Sequence, residues 1–114
     1  MVDTVEIYKI PELFNVQTGT SYTLAASDQG KWVILQNASA ITLTVPSTLA
    51  AGFSCNIIQG GAGQITVTPG SGATRRSYLS HTKTAGENAM GTIIVTSNGS
   101  GSAANFTFGG TTAP

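Results

Sequence analysis

Apolar residues and threonines alternate without a break in Ile41-Thr42-Leu43-Thr44-Val45, and glutamine, apolar residues and threonines do so again in Gln64-Ile65-Thr66-Val67-Thr68. A repeat of two places successive side chains on opposite faces of a pleated ribbon, so each segment reads as a strand with one buried and one wetted face. Residues 22–26, 31–37, 53–59, 91–97 and 104–108 are also rich in β-branched and aromatic types and bounded by turn formers. Between these seven strands lie Ser27-Asp28-Gln29-Gly30, Asn37-Ala38-Ser39, Gly60-Gly61-Ala62-Gly63, Pro69-Gly70-Ser71-Gly72 and Asn98-Gly99-Ser100-Gly101, all suited to tight turning. Short strands at near-regular spacing predict an all-β fold, a small antiparallel sandwich or barrel of seven to eight short strands. Residues 46–51 offer the only helical fragment, of one turn at most.

A chain of 114 residues holds one domain with a single core. Five basic residues balance five acidic ones, and charged residues make up only 9%. A surface this sparing with charge is poorly suited to electrostatic capture of nucleic acid or an anionic membrane, and neither is an expected partner. Solubility falls to hydroxyls and amides, which seventeen Thr and eleven Ser help supply. Desolvating a hydroxyl costs far less than desolvating an unpaired charge, so such a surface suits broad contact with neighbouring subunits. No run approaches the length of a membrane-spanning helix. One cysteine cannot form an internal disulfide, and the opening residues lack the pattern of a secretory signal, so synthesis is expected in the cytoplasm.

Two segments depart from the strand rhythm. Residues 1–16 carry Val5, Ile7, Tyr8, Ile10, Leu13, Phe14 and Val16 ahead of a glycine-bearing break. They read either as a first edge strand or as an extended arm that covers an adjacent subunit, leaving residues 17–114 as the β domain. Val5, Ile7, Tyr8, Ile10, Leu13 and Phe14 are the candidate interface residues. Residues 75–89, polar and containing His81 and Lys83, read as a long connection of the kind that carries recognition on small β domains.

No catalytic, metal-binding or cofactor-binding residues are expected. Gly60-Gly61-Ala62-Gly63 is followed by neither a Lys-Ser nor a helix on which a phosphate could rest, and reads as a hairpin turn needing positive φ. His81 is the one side chain with neutral-pH acid–base chemistry, and no nucleophile elbow or paired carboxylates accompany it. Cys55 and His81 make two soft ligands where a structural zinc needs four. Cys55 shares a face with Phe53 and Ile57 and reads as a small buried hydrophobe. Trp32 reads as a core anchor, with stacking on a surface sugar as the alternative. Arg75-Arg76 reads as a solvated pair, or as a contact for an acidic surface. Three Asn-x-Ser/Thr matches, at Asn37, Asn98 and Asn105, are expected by chance in so hydroxyl-rich a chain.

The run Ser-Tyr-Thr-Leu-Ala-Ala-Ser-Asp-Gln-Gly-Lys-Trp-Val-Ile-Leu-Gln-Asn-Ala-Ser-Ala-Ile-Thr-Leu-Thr-Val-Pro from Ser21, with Ile57-Ile58-Gln59-Gly60-Gly61-Ala62-Gly63-Gln64-Ile65-Thr66-Val67 after it, resembles a small β module of tailed-phage virion proteins. Asp28-x-Gly30-Lys31 followed in order by Gly61-Ala62-Gly63-Gln64 carries the resemblance. It implies a trimeric, non-enzymatic virion part. The chain shows no fibre shaft or coiled coil, so the expectation is a capsid decoration, or cement, protein. Such a protein would bind the major capsid protein on the outer surface of the head as a homotrimer, with the N-terminal segment as its clamp. The alternative is a tail-fibre or receptor-binding module whose residues 75–89 contact host glycan.

Overall fold

The computed structural model describes residues 13–114. Among these residues eleven strands follow one another: β1 (Phe14–Gln17), β2 (Ser21–Thr23), β3 (Trp32–Leu35), β4 (Ile41–Val45), β5 (Ser54–Gln59), β6 (Ile65–Pro69), β7 (Thr74–Ser77), β8 (Lys83–Thr84), β9 (Met90–Ser97), β10 (Asn105–Gly110) and β11 (Thr112–Ala113). They form a six-stranded sheet in the order β1-β3-β5-β9-β10-β7 and a five-stranded sheet in the order β11-β8-β6-β4-β2. Each of the seven strands expected from composition and periodicity has a counterpart, although the one expected over residues 22–26 ends at Thr23 and gives way to a 3-10 segment at Ala26–Asp28. Residues 46–51 form tight turns rather than a helical turn, and the short 3-10 segments lie instead at Ala26–Asp28 and Tyr78–Ser80.

The expectation of antiparallel pairing is corrected. β1–β3, β3–β5, β2–β4, β4–β6 and β7–β10 are parallel; β5–β9, β9–β10, β6–β8 and β8–β11 are antiparallel. The reason lies in the connections. From β1 to β6 the chain changes sheet at every turn, so each strand returns to its own sheet only after a strand of the other, and it returns in the same direction. The opposing strand thus serves as the crossover that parallel neighbours require. Residues 74–113 then close both sheets largely with antiparallel strands.

The core follows from the alternation. Val33 and Leu35 of β3, Cys55 and Ile57 of β5, Ile93 and Val95 of β9 and Phe106 and Phe108 of β10 point inward from the larger sheet. They meet Ile41, Leu43 and Val45 of β4 and Ile65 and Val67 of β6 in one cluster. Each contributes on the order of 1.5–3 kcal/mol by leaving water.

The turns that carry the chain between sheets stack on one another at one end. Asn37 Nδ2 donates to the Thr18 carbonyl at 2.8 Å, the Ser39 N–H to Asn37 Oδ1 at 2.9 Å and the Gly63 N–H to the Asn37 carbonyl at 2.7 Å. Gly61 and Gly63 are needed here for close approach and not for positive φ, which corrects the hairpin reading of this loop. A Cβ on Gly63 would collide with the Ser39 carbonyl, and one on Gly61 would lie 2.8 Å from the Asn37 carbonyl. Gly30, at φ +73°, does need the left-handed region, and its N–H donates to the Ser54 carbonyl at 2.8 Å.

Residues 75–89, expected as one connection, contain most of β7, a 3-10 segment and β8. Arg75 lies beside buried Phe106 and extends its guanidinium to the Val67 carbonyl at 3.0 Å, so it ties an edge of one sheet to the other.

Candidate interaction surfaces

The outer faces of the two sheets differ in chemistry. On the five-stranded sheet, Ser21, Thr42 and Thr66 align in one row and Thr23, Thr44 and Thr68 in the next. This is the wetted face that the Ile-Thr-Leu-Thr-Val alternation requires. On the six-stranded sheet the register aligns Val16, Ile34, Ile58 and Met90 across β1, β3, β5 and β9, and beside them Phe14, Trp32, Asn56 and Thr92. Ile94 stands opposite Ser54 at the next position along. Phe14, Val16 and Met90 are each about half exposed, at 49%, 51% and 52%, and Ile94 is 43% exposed. Strands β1, β3, β5 and β9 contain no charged residue.

The polar members of this face are paired within it. Thr92 Oγ1 donates to Asn56 Oδ1 at 2.7 Å across the β5–β9 pair, which leaves the Asn56 amide nitrogen for a partner. Trp32, Asn56, Met90, Gly91, Thr92, Gly110 and Thr111 line a shallow depression of about 270 Å3 here. Trp32 is thus on the outer face and partly exposed, which corrects its reading as a core anchor.

A second apolar feature projects from the rim. Tyr78 and Leu79 are 81% and 69% exposed, and Leu79 and Ser80 both hold positive φ, 56° and 57°. Two consecutive non-glycine residues in the left-handed region carry backbone strain.

Of the six residues expected at an interface, Val5, Ile7, Tyr8 and Ile10 lie outside the described residues. Leu13 is 48% exposed, and Phe14 opens β1, so the boundary drawn at residue 16 falls within an edge strand. Val16, Ile34, Ile58, Met90 and Ile94 were not singled out from the sequence as interface residues. The signal that could have found them is Trp32-Val33-Ile34-Leu35 and Ile93-Ile94-Val95, where alternation fails and both faces of a strand are apolar.

The remaining chemistry-bearing residues are engaged structurally. The Asp28 carboxylate, 1% exposed, accepts from Asn15 Nδ2 at 2.8 Å, Tyr22 OH at 2.7 Å and the Ala25 N–H at 2.9 Å. Burial and then the bond to Asp28 push the Tyr22 hydroxyl up to about 12. Cys55 is a buried free thiol, raised to about 12 by desolvation and then by the Asp28 charge. His81 Nδ1 lies 2.9 Å from Thr112 Oγ1. Thr84 Oγ1 donates to Gln59 Oε1 at 2.6 Å and accepts from the Ile65 N–H at 3.1 Å, completing a buried polar pair between the sheets. Asn98 donates to the Ser47 and Leu49 carbonyls, both at 2.9 Å, and holds the β9–β10 loop. Among the described residues no cluster of three His, Cys, Asp or Glu side chains is placed to hold a metal ion.

A larger open cleft of about 480 Å3 is lined by Ala26, Gln29 and residues 48–53, with no acid, base or thiol among them. No family model matches the chain, and no curated protein matches it.

Proposed function

We propose that the chain is a tailed-phage capsid decoration protein, a non-enzymatic virion part whose two sheets form a closed sandwich with an extended N-terminal arm. It binds the major capsid protein on the outside of the assembled head as a homotrimer. The observation that carries this reading is the exposed apolar face on β1, β3, β5 and β9, which contains no charged side chain. Large exposed apolar patches mark contact surfaces, and the resemblance of residues 21–67 to virion modules supplies the setting.

Val5, Ile7, Tyr8, Ile10, Leu13 and Phe14 form the clamp in this reading. Each copy contributes modest free energy, and many copies on one shell multiply it. The test is cosedimentation with expanded shells, comparing the wild-type chain with one in which Val5, Ile7, Tyr8 and Ile10 are all serine. Loss of shell binding by a variant with unchanged circular dichroism is the expected outcome. Binding should also change little between low and moderate salt, since few counterions are released. Retained binding by the serine variant, or a steep salt dependence, rejects the clamp.

A second reading, a tail-fibre or receptor-binding module for host glycan, is favoured by the depression beside Trp32. There a partly exposed indole, the free amide nitrogen of Asn56 and the Thr111 hydroxyl are grouped as a neutral sugar would require. Adsorption to host cells that Trp32→Ala abolishes would select it over the shell.

A further inference from the structure

We infer that a second copy of this chain packs on the outer face of the six-stranded sheet. The inference rests on the adhesive reading above and deepens it by assigning self-association to one surface. Three observations point to an identical copy.

The first is electrostatic. The four strands that build the face contain no acidic or basic residue. Arg76, opposite Thr107 at the β7 edge of the same sheet, is the charge in register with this face and stands two strands beyond Ile94, so a copy centred on β3, β5 and β9 meets little like-charge repulsion and a partner recognised by charge finds nothing to pair with there. The second is polar satisfaction. Asn56 and Thr92 in the middle of the face already bond to each other at 2.7 Å, so covering them strands little unpaired polarity. The remaining Asn56 amide hydrogens can cross to a hydroxyl or carbonyl of the neighbouring copy.

The third is area. With a fully exposed side chain of this size class presenting roughly 150–200 Å2, the half-exposed Phe14, Val16, Met90 and Ile94 offer on the order of 350 Å2. Partly exposed Trp32, Ile34, Asn56, Ile58 and Thr92 bring the face to about 500 Å2 per copy, or about 1,000 Å2 across a pair, the lower bound of a specific interface. The hydroxyl rows on the opposite sheet offer no comparable apolar area. Contacts at this lower bound of size include weak and transient ones, whose association is followed by varying the concentration in solution.

The test is sedimentation velocity of the full chain from low to high micromolar concentration, with the emission of Trp32, the only tryptophan, recorded over the same series. Self-association with a blue shift of Trp32 is the expected result, and its mass distinguishes two copies from three about a threefold axis, either of which fulfils the inference. Val16→Asp and Met90→Asp, both at half-exposed positions, should each weaken association by about 100-fold or more, because burial in the contact strands the new charge. Thr42→Asp on the opposite sheet should leave it unchanged. Circular dichroism and thermal melts establish that each variant is folded.

A monomer at every concentration, or association that Val16→Asp and Met90→Asp leave intact, overturns the inference. Cosedimentation with shells separates the two claims. A monomer that still binds shells refutes self-packing and leaves decoration standing, and an oligomer that ignores shells does the reverse.

Discussion

Replacing Asp28 by alanine should destabilise the fold by about 3 kcal/mol or more, without touching any exposed surface. Asp28 is 1% exposed, and its two carboxylate oxygens accept three hydrogen bonds, from Asn15, Tyr22 and the Ala25 N–H. Hydrogen bonds to a charged group each contribute roughly 1.5–3 kcal/mol net, and the relief of a buried charge offsets part of their sum. After truncation the Tyr22 hydroxyl keeps its bond from Asn15 Nδ2 at 2.8 Å, whereas the Ala25 N–H is left without its carboxylate acceptor. Asp28→Asn keeps the shape but turns one acceptor into a donor facing another donor, and should cost about 1–3 kcal/mol. Urea unfolding, followed by far-ultraviolet circular dichroism and by Trp32 fluorescence, measures both. Tyr22→Phe should cost less by about 1 kcal/mol in the Asp28→Ala background than in the wild type, because the two side chains share a bond. An Asp28→Ala loss within about 0.5 kcal/mol, or strictly additive effects, would refute the assignment of the Asp28 carboxylate to a structural acceptor site.

Gly63→Ala should cost at least about 1–3 kcal/mol by driving a methyl group into the Ser39 carbonyl of the stacked turn, while Gly86→Ala, where a Cβ meets nothing, should be nearly neutral; equal thermal melts would remove the close-approach argument. Stability should fall as pH rises above about 9. Cys55 and Tyr22 titrate at 9.0 and 10.0 when free and are each raised to about 12 in the fold, so the native state holds protons that the unfolded chain releases. Their contributions are fully present below pH 9 and disappear towards pH 12, and Cys55→Ala should flatten the onset of the loss in melts taken across that range.

Much of the strand content was legible because it depends on local rules. Ile41-Thr42-Leu43-Thr44-Val45 can sort its side chains only as a strand does, and Ile41, Leu43 and Val45 are buried as that pattern demands. β7 and β8 were not legible: Thr-Arg-Arg-Ser and Lys-Thr carry no apolar alternation, and they are strands because β10 and β6 offer them hydrogen bonds. Trp32 was placed on the wrong side for a related reason. In Trp32-Val33-Ile34-Leu35 both alternate sets are apolar, so periodicity alone cannot say which set the core takes, and pairing with β5 settles that it is Val33 and Leu35. The apolar outer face emerges only when four such strands stand side by side, in a register that no single segment encodes.

The division is thus between what a residue and its close neighbours dictate and what depends on partners distant in the chain. Strand character, turn positions, the scarcity of charge and the hydroxyl-bearing face of the Thr strands follow from sequence alone, because a pleated backbone has a side-chain period of two and positive φ favours glycine. Parallel pairing, the stacked turns that require Gly61 and Gly63, the Asp28 acceptor site and the apolar row Val16, Ile34, Ile58 and Met90 were decided by tertiary structure. The same short turn can return a chain along its own sheet or carry it across to the other. The free energy that selects between them comes from burying both sheets' inner faces together, and that sum exists only once the whole fold has formed.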